Sequence, residues 1–187
     1  MTVSISQSEI RTLLDTISKS GDPFSKRDKT LFALYAFTGI RKSEALLLRI
    51  SDYDRDSKLL HLPYVKRSSK KFQVIPSILT IILDDYLKNT LIIDLSSPLF
   101  TGNSCNRFLT SRQVSYRFDK WKTISGIRRN LTIHSFRAAY ASLLYQKTKN
   151  PLLVSYALGH SSFNTTKDYI LDDSFDFRST IEKIFAI

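Results

Sequence analysis

Leu158-Gly159-His160-Ser161-Ser162 is the stretch on which the interpretation of this chain rests, and Tyr169 follows nine residues after His160. Two basic stretches precede it, Thr38-Gly39-Ile40-Arg41-Lys42-Ser43-Glu44 and His134-Ser135-Phe136-Arg137. Guanidinium groups bind phosphate and imidazoles move protons, while a tyrosine hydroxyl can form a covalent intermediate. In this order, the three stretches predict cleavage of a phosphodiester by a tyrosine nucleophile.

Each residue taken alone also suits an ordinary structural role. Arg41 and Glu44 have the spacing of a surface ion pair on a helix. His160 follows a helix end, where a solvated histidine is common, and Tyr169 is one of nine tyrosines. The functional interpretation therefore depends on the joint arrangement and not on any one residue.

The composition favours a folded protein with a nucleic-acid partner. The chain has 187 residues, 42% of them hydrophobic, which suits one domain with a sizeable core. Lys and Arg number 28 against 17 Asp and Glu, giving a net charge of +11 and a pI of about 9.8. Such a charge is typical of proteins that bind nucleic acid. The alternative is a ribosome-associated or merely basic soluble protein.

Several other classes are disfavoured. The single cysteine, Cys105, excludes an intrachain disulfide and fits a reducing compartment, and there is no Cys/His cluster with zinc spacing. The N-terminal residues lack the pattern of a signal peptide, and the most apolar runs, such as 31–37 and 78–83, are far too short to span a bilayer. We therefore expect a cytoplasmic, DNA-associated protein without a membrane partner.

Helical periodicity dominates the first quarter of the chain. Apolar residues from Ser8 to Ile17 recur at the spacing of an amphipathic helix, which Gly21-Asp22-Pro23 would end. A second helix is predicted from Lys26 to Phe37, buried on most of its surface and broken by Gly39. A third is predicted from Arg41 to about Leu48.

The middle of the chain predicts a β-hairpin, and the rest predicts further helices. The strands are Lys58 to Leu62 and Phe72 to Ile75, joined by the basic residues 66–71. The predicted helices that follow are Ser77 to Lys88, Ser111 to Lys122, one capped by Thr132 that carries His134, Pro151 to Gly159, and one opened by Asn164 that carries Tyr169. The expected fold class is therefore mainly α with a small antiparallel β-sheet (α+β).

The three stretches together resemble the catalytic domain of the tyrosine site-specific recombinases, the phage integrase family. The first family motif, T-G-x-R-x-S-E, matches residues 38–44, with Leu46 to Leu48 and Asp52 following. The second is H-x-L-R, and here it is His134-Ser135-Phe136-Arg137, with Phe136 at the leucine position. The third, L-G-H-S and then T-T and Y, matches residues 158–169. The resemblance covers almost the whole chain and implies the DNA breaking-rejoining fold of that family.

The resemblance implies a set of site residues. The implied catalytic residues are Arg41, Lys66, His134, Arg137, His160 and Tyr169, with Glu44 in a supporting role. The implied DNA-binding residues are Lys42, Arg67, Lys70 and Lys71. The hairpin lysine stays open, because Lys70 and Lys71 are alternatives to Lys66. No metal and no other cofactor is expected, since the bond energy is kept in the phosphotyrosine.

The chain also departs from the family pattern. Ala138 stands where the family often has a histidine after the second arginine. Residues 1–187 are expected to be a single catalytic domain, without the N-terminal core-DNA-binding domain that these recombinases usually carry. The implied partners are a double-stranded DNA recombination site and further copies of the chain, up to a tetramer, on paired sites.

Two questions stay open at this point. The function is expected to be integration or another site-specific recombination of a mobile element, but a type IB topoisomerase-like enzyme or a catalytically silent DNA-binding regulator on the same fold are alternatives. The second question concerns the apolar stripe of Phe177, Ile181, Ile184 and Phe185. We expect it to dock into a neighbouring protomer, and the alternative is that it folds back onto its own domain.

Overall fold

The protein is mainly helical with one small antiparallel sheet, which confirms the predicted fold class. The computed structural model describes residues 3–63, 71–88, 90, 94–102, 107–159 and 177–185. The helices are α1 (Gln7–Ser18), α2 (Ser25–Thr38), α3 (Lys42–Leu46), α4 (Ser77–Lys88), α5 (Ser111–Ile124), α6 (His134–Thr148), α7 (Pro151–Leu158) and α8 (Phe177–Phe185). The strands are β1 (Tyr53–Asp54), β2 (Leu59–His61) and β3 (Phe72–Val74). The predicted helix from Asn164 to Tyr169 and the hairpin residues 64–70 lie outside the described residues.

Helix α2 is the centre of the core, as its mostly apolar surface predicts. It packs against α1, α4 and α6, and most of its residues are buried. Helix α1 lies on it through an amphipathic face and is closed by a capping box between Ser6 and Glu9. The two helices predicted for this part of the chain are thus confirmed. Helix α3 is shorter than predicted: it ends at Leu46, and the carbonyl oxygen of Leu48 accepts from the Leu99 amide instead of continuing the helix. A 3₁₀ turn follows over Ile50–Asp52.

The sheet has the strand order β1-β2-β3, with both pairings antiparallel. Leu60 of β2 pairs with Gln73 of β3 and with Tyr53 of β1. The β2–β3 hairpin was predicted, whereas β1 was not. Its two residues are too few to show the alternation that marks a strand in sequence.

The start of α6 differs from the expectation that Thr132 caps it. The N-cap residue is Ile133, and no side chain caps the helix. Instead, the Thr132 amide donates to the Ser135 hydroxyl at 3.1 Å. The amide of Ser135 in turn donates to the Thr132 carbonyl oxygen, so this turn is closed by backbone and Ser135 contacts. By contrast, α7 begins at Pro151 as predicted, and the side-chain oxygen of Asn150 caps it.

A network of charged side chains joins the N-terminus of α2 to α5. Arg117 donates to Asp22 at 2.6 Å and also to the fully buried Asp28, while the Trp121 indole donates to Asp28 at 2.7 Å. Lys120 donates to Asp22 as well. Burial raises the pKa of Asp22, but the hydrogen bonds from Arg117 and Lys120 outweigh burial and hold that pKa well below its usual range.

This network predicts an acid-sensitive stability. The lowered pKa of Asp22 contributes stability that is present above the unfolded-state pKa of about 4 and is lost as the pH falls further. We expect Asp22→Asn to lower the free energy of unfolding at pH 7 by about 1.5–3 kcal/mol, the range for hydrogen bonds to charged groups. Its stability should also fall less steeply than that of the wild type below pH 4. Urea unfolding at pH 7, 4 and 3 measures both effects, with the exposed Asp56→Asn as control. Equal pH dependence in wild type and Asp22→Asn would contradict the role of the carboxylate.

Helix α8 packs on its own domain. Ile181 is fully buried in a second apolar cluster that includes Tyr140, Leu144, Leu153 and Leu158. The polar side of α8 is fixed as well: Glu182 accepts from the Ser77 amide at the first turn of α4 and from Lys58, each at 3.1 Å. Arg178 donates to the Ser57 carbonyl oxygen at 2.7 Å. The expectation that this stripe docks into a neighbour is therefore wrong for this structure, and the alternative that it folds back holds.

We expect Ile181→Ala to destabilise the isolated chain. The substitution leaves a cavity in a cluster where Ile181 is fully buried, and such truncations cost about 2–5 kcal/mol. Thermal and urea unfolding measure the loss, with the exposed Lys183→Ala on the same helix as the control. If Ile181→Ala were as stable as the wild type, α8 would not belong to the core of its own chain in solution.

Candidate active site

The site is built where α2 and α7 end, each at a glycine. Gly39 follows α2 with φ +60° and Gly159 follows α7 with φ +65°, both in the left-handed region that favours glycine. A Cβ on Gly39 would lie 2.6 Å from Cδ1 of Tyr140, so no larger residue fits. Thr38 fixes the same turn, because its hydroxyl donates to the Leu34 carbonyl oxygen and accepts from the Ile40 amide. The glycines thus bring the two helix ends close to α6.

Arg41 lies two residues after Gly39, at the N-cap position of α3. Its Nη1 donates to Oε1 of Glu44 at 3.1 Å, and its Nη2 donates to the Gly159 carbonyl oxygen at 3.2 Å. The second oxygen of Glu44 accepts from the Arg41 amide at 2.9 Å. Glu44 is buried, whereas 26% of the Arg41 side chain is exposed. Glu44 therefore holds a partly accessible guanidinium in one orientation.

Arg137 lies deeper than Arg41. Its Nη1 donates to the Gly39 carbonyl oxygen at 2.6 Å and its Nη2 donates to the Leu158 carbonyl oxygen at 2.7 Å. Burial, and after it the nearby charge of Arg41, lower the pKa of Arg137 to about 10. The guanidinium stays protonated at neutral pH. Two cations are thus held close together by carbonyl oxygens at helix C-termini, where the helix dipole favours positive charge.

The remaining described site residues lie at the surface. His134 is exposed as the first residue of α6, three residues before Arg137 and hence on the same helix face. Lys42 is partly buried at the first position of α3, and Lys71 is exposed directly before β3. The Lys71 carbonyl oxygen accepts from the Leu62 amide at 2.8 Å, which continues the hairpin ladder. Lys66, Arg67, Lys70, His160 and Tyr169 lie outside the described residues.

Sequence reasoning missed the backbone of this site. The two glycines mark helix ends, as predicted. The sequence does not show that the carbonyl oxygens of Gly39, Leu158 and Gly159 hold the two arginines. The signal was the glycine directly before the arginine stretch and the one before His160, each at a predicted helix end. Within the described ranges, no three His, Cys, Asp or Glu side chains form a group that could hold a metal ion. None of the described helices has the length and apolar surface needed to cross a bilayer.

The fold and the paired arginines define the class of the protein. The chain belongs to the phage integrase family, whose model matches residues 4–174. This confirms the resemblance drawn from the three motifs. The match includes both arginines and the stretch that carries Tyr169.

Individual relatives are similar over most of the chain. The chain is 31% identical over 163 residues to tyrosine recombinase XerC of Neisseria meningitidis serogroup B, covering 87% of this chain and 54% of that protein. It is 32% identical over 168 residues to tyrosine recombinase XerH of Campylobacter jejuni, covering 88% and 47%. The chain therefore spans about half the length of these relatives.

Solved structures show the same fold. The crystal structure of XerA recombinase superposes with a TM-score of 0.75 at 21% identity, covering 99% of this chain and 65% of that one. The XerH site-specific recombinase bound to its difH substrate, in a pre-cleavage complex, superposes with a TM-score of 0.70 at 24% identity. That match covers 90% of this chain and 50% of the XerH chain.

Proposed function

We propose that this chain cleaves and rejoins double-stranded DNA at specific sites through a 3′-phosphotyrosyl intermediate. The observation that carries the proposal is the fixed pair of guanidinium groups, Arg41 and Arg137, in a chain of the phage integrase family. A preorganised pair of donors stabilises the charge that develops on the non-bridging oxygens of a phosphate during substitution. The net charge of +11 supports a polyanionic partner.

The proposed mechanism assigns one role to each residue. Arg41, Arg137 and His160 bind the scissile phosphate. The Tyr169 phenol oxygen attacks phosphorus and gives up its proton to His134, while the bond from phosphorus to the 5′-oxygen breaks. The hairpin lysine, Lys66 or one of its alternatives Lys70 and Lys71, protonates the leaving 5′-oxygen.

Rejoining reverses these steps. The 5′-hydroxyl of a partner strand attacks the phosphotyrosine and releases Tyr169, so the number of phosphodiester bonds is conserved. The cycle as proposed needs neither a metal ion nor ATP. We further propose that residues 1–187 act as one catalytic domain inside the cell, that Arg67 and Lys42 contact DNA, and that copies of the chain associate on paired sites.

The test begins with finding the DNA site. The chain is incubated with sheared genomic DNA of its host, washed under denaturing conditions, and the DNA that remains attached is sequenced. A plasmid with two copies of the recovered sequence is then compared with a supercoiled plasmid that has none. Recombination of the first plasmid alone supports the proposal. Relaxation of the second plasmid indicates a topoisomerase-like enzyme, and DNA binding without any covalent attachment indicates a silent regulator.

We expect binding to weaken steeply with salt. Each phosphate that the protein neutralises contributes about −0.9 to the slope of log K against log salt concentration on duplex DNA. Lys71→Ala removes an exposed cation beside the hairpin and should make the slope shallower by about 1. Fluorescence anisotropy between 50 and 300 mM KCl measures the slope, with Lys19→Ala at the C-cap of α1 as a comparison. A nearly flat response in the wild type would contradict an interface dominated by the DNA backbone.

A further inference from the structure

Tyr140 lies directly behind the carbonyl oxygens that hold Arg137. The two residues are three apart on α6 and so share one face of that helix. The Tyr140 ring meets the backbone of Gly39 so closely that a Cβ there would lie 2.6 Å from its Cδ1 and 3.0 Å from its Cγ. The Leu158 side chain reaches the same point, at 3.2 Å. The ring therefore touches the end of α2 and shares an apolar cluster with the end of α7.

Those two helix ends determine where the Arg137 guanidinium points. One of its nitrogen atoms is bound to the Gly39 carbonyl oxygen and the other to the Leu158 carbonyl oxygen. A guanidinium is planar and its donors have a fixed angular spread. If the two carbonyls moved apart or together, the guanidinium would rotate or lose one bond. The direction of Arg137 thus depends on the spacing of the two helix ends.

The ring is also fixed from the side of α8. Phe185 stacks on Tyr140 with ring centroids 6.0 Å apart and planes 2° from parallel, and Phe37 packs against Phe185 at 5.3 Å. Tyr140 is 1% exposed. Its hydroxyl has no hydrogen-bond partner among the described residues, and burial raises the pKa of Tyr140. The contacts that hold Tyr140 are therefore those of the ring.

We propose that Tyr140 is a positioning residue: its ring sets the spacing of the Gly39 and Leu158 carbonyls and through them the orientation of Arg137. The consequence for cleavage rests on the proposed function, whereas the consequence for arginine geometry does not. A displacement of a placed catalytic group by about 1 Å can lower a rate about 100-fold. The flat ring fills the space between the helix ends, and a branched aliphatic side chain does not reproduce its shape.

The test compares three variants of the full chain. Tyr140→Leu removes the ring, Tyr140→Phe keeps it, and Phe100→Leu is the matched control. Phe100 is equally buried at 1% exposed and stacks on Tyr86 in the other apolar cluster. The first measurement is the ¹⁵N-edited NMR spectrum of the arginine guanidinium groups, with Arg137 assigned by Arg137→Lys. The second is single-turnover formation of the covalent DNA adduct, together with the Kd for the same DNA and the Tm.

We expect slowly exchanging Arg137 guanidinium signals in the wild type, in Tyr140→Phe and in Phe100→Leu. The cleavage rates of these three proteins should lie within about twofold of one another. In Tyr140→Leu, the Arg137 guanidinium signals should merge into averaged peaks, because the guanidinium is free to rotate. The cleavage rate should fall about 10- to 100-fold, with a Kd for DNA within about twofold of the wild type. Fixed Arg137 signals in Tyr140→Leu would overturn the inference, as would a loss in Phe100→Leu or Tyr140→Phe equal to that in Tyr140→Leu. If the wild type forms no adduct at all, the proposed function fails, and the NMR comparison still decides the role of Tyr140.

Discussion

The Tyr169→Phe protein is expected to lose covalent attachment to DNA completely while it binds the same DNA with nearly unchanged affinity. Only the phenol oxygen enters the proposed chemistry, and phenylalanine keeps the ring. A free tyrosine has a pKa of about 10, so its oxygen is a poor nucleophile at neutral pH unless its proton is removed and the phosphate charge is offset. No other group in the proposed mechanism replaces that oxygen.

A suicide substrate, nicked near the cleavage site so that the released strand diffuses away, traps the covalent product on a denaturing gel. Anisotropy with an intact duplex measures binding in parallel. The control is Tyr116→Phe, which removes a hydroxyl from an exposed tyrosine on α5. A covalent band of wild-type intensity from Tyr169→Phe would remove this tyrosine from its proposed role.

The second large effect is expected at the two arginines. Arg137→Ala and Arg41→Ala should each lower the rate of strand cleavage at least about 100-fold, the typical loss when a preorganised donor to a developing oxyanion is removed. Lys42→Ala is the matched control, because Lys42 adjoins Arg41 and carries the same charge. Single-turnover adduct formation at saturating protein gives the rates. Equal losses at Lys42 and Arg41 would mean that overall positive charge, and not a placed guanidinium, governs cleavage.

The arginine variants also differ in their expected effect on stability. Arg137→Ala leaves the buried carbonyl oxygens of Gly39 and Leu158 without this donor, which costs about 1–3 kcal/mol for each group that stays unsatisfied. Arg41→Ala leaves the buried Glu44 carboxylate without its ion pair. Rates must therefore be compared at a temperature where urea titration shows that every variant is folded. Arg137→Lys separates charge from geometry, since an ammonium cannot reproduce the planar fork of the guanidinium.

Local sequence signals determined most of the secondary structure of this protein. The ends of α2 and α7 follow from glycines that adopt positive φ, and the start of α7 follows from Asn150 and Pro151. The apolar spacing along α1 and the two short apolar segments of the β2–β3 hairpin also predicted these elements from the sequence. These features depend on residues within a few positions of one another, and the motif spacing was sufficient to identify the family. The prediction that Thr132 caps α6 is wrong, because the Ser135 hydroxyl and backbone hydrogen bonds close that turn instead.

Only the tertiary structure decided which surfaces and groups meet. An apolar stripe on α8 requires a cover but does not specify one, and the cluster around Tyr140 provides it within the same chain. In the same way, the sequence indicated that Arg41 and Arg137 act together and that Glu44 supports Arg41, without indicating the backbone carbonyl oxygens that hold both arginines. Arg137 binds the carbonyl oxygens of residues 98 and 21 positions away, and Arg41 binds one that is 118 positions away. Backbone carbonyls are present at every residue, so no sequence pattern marks those that folding brings to a guanidinium.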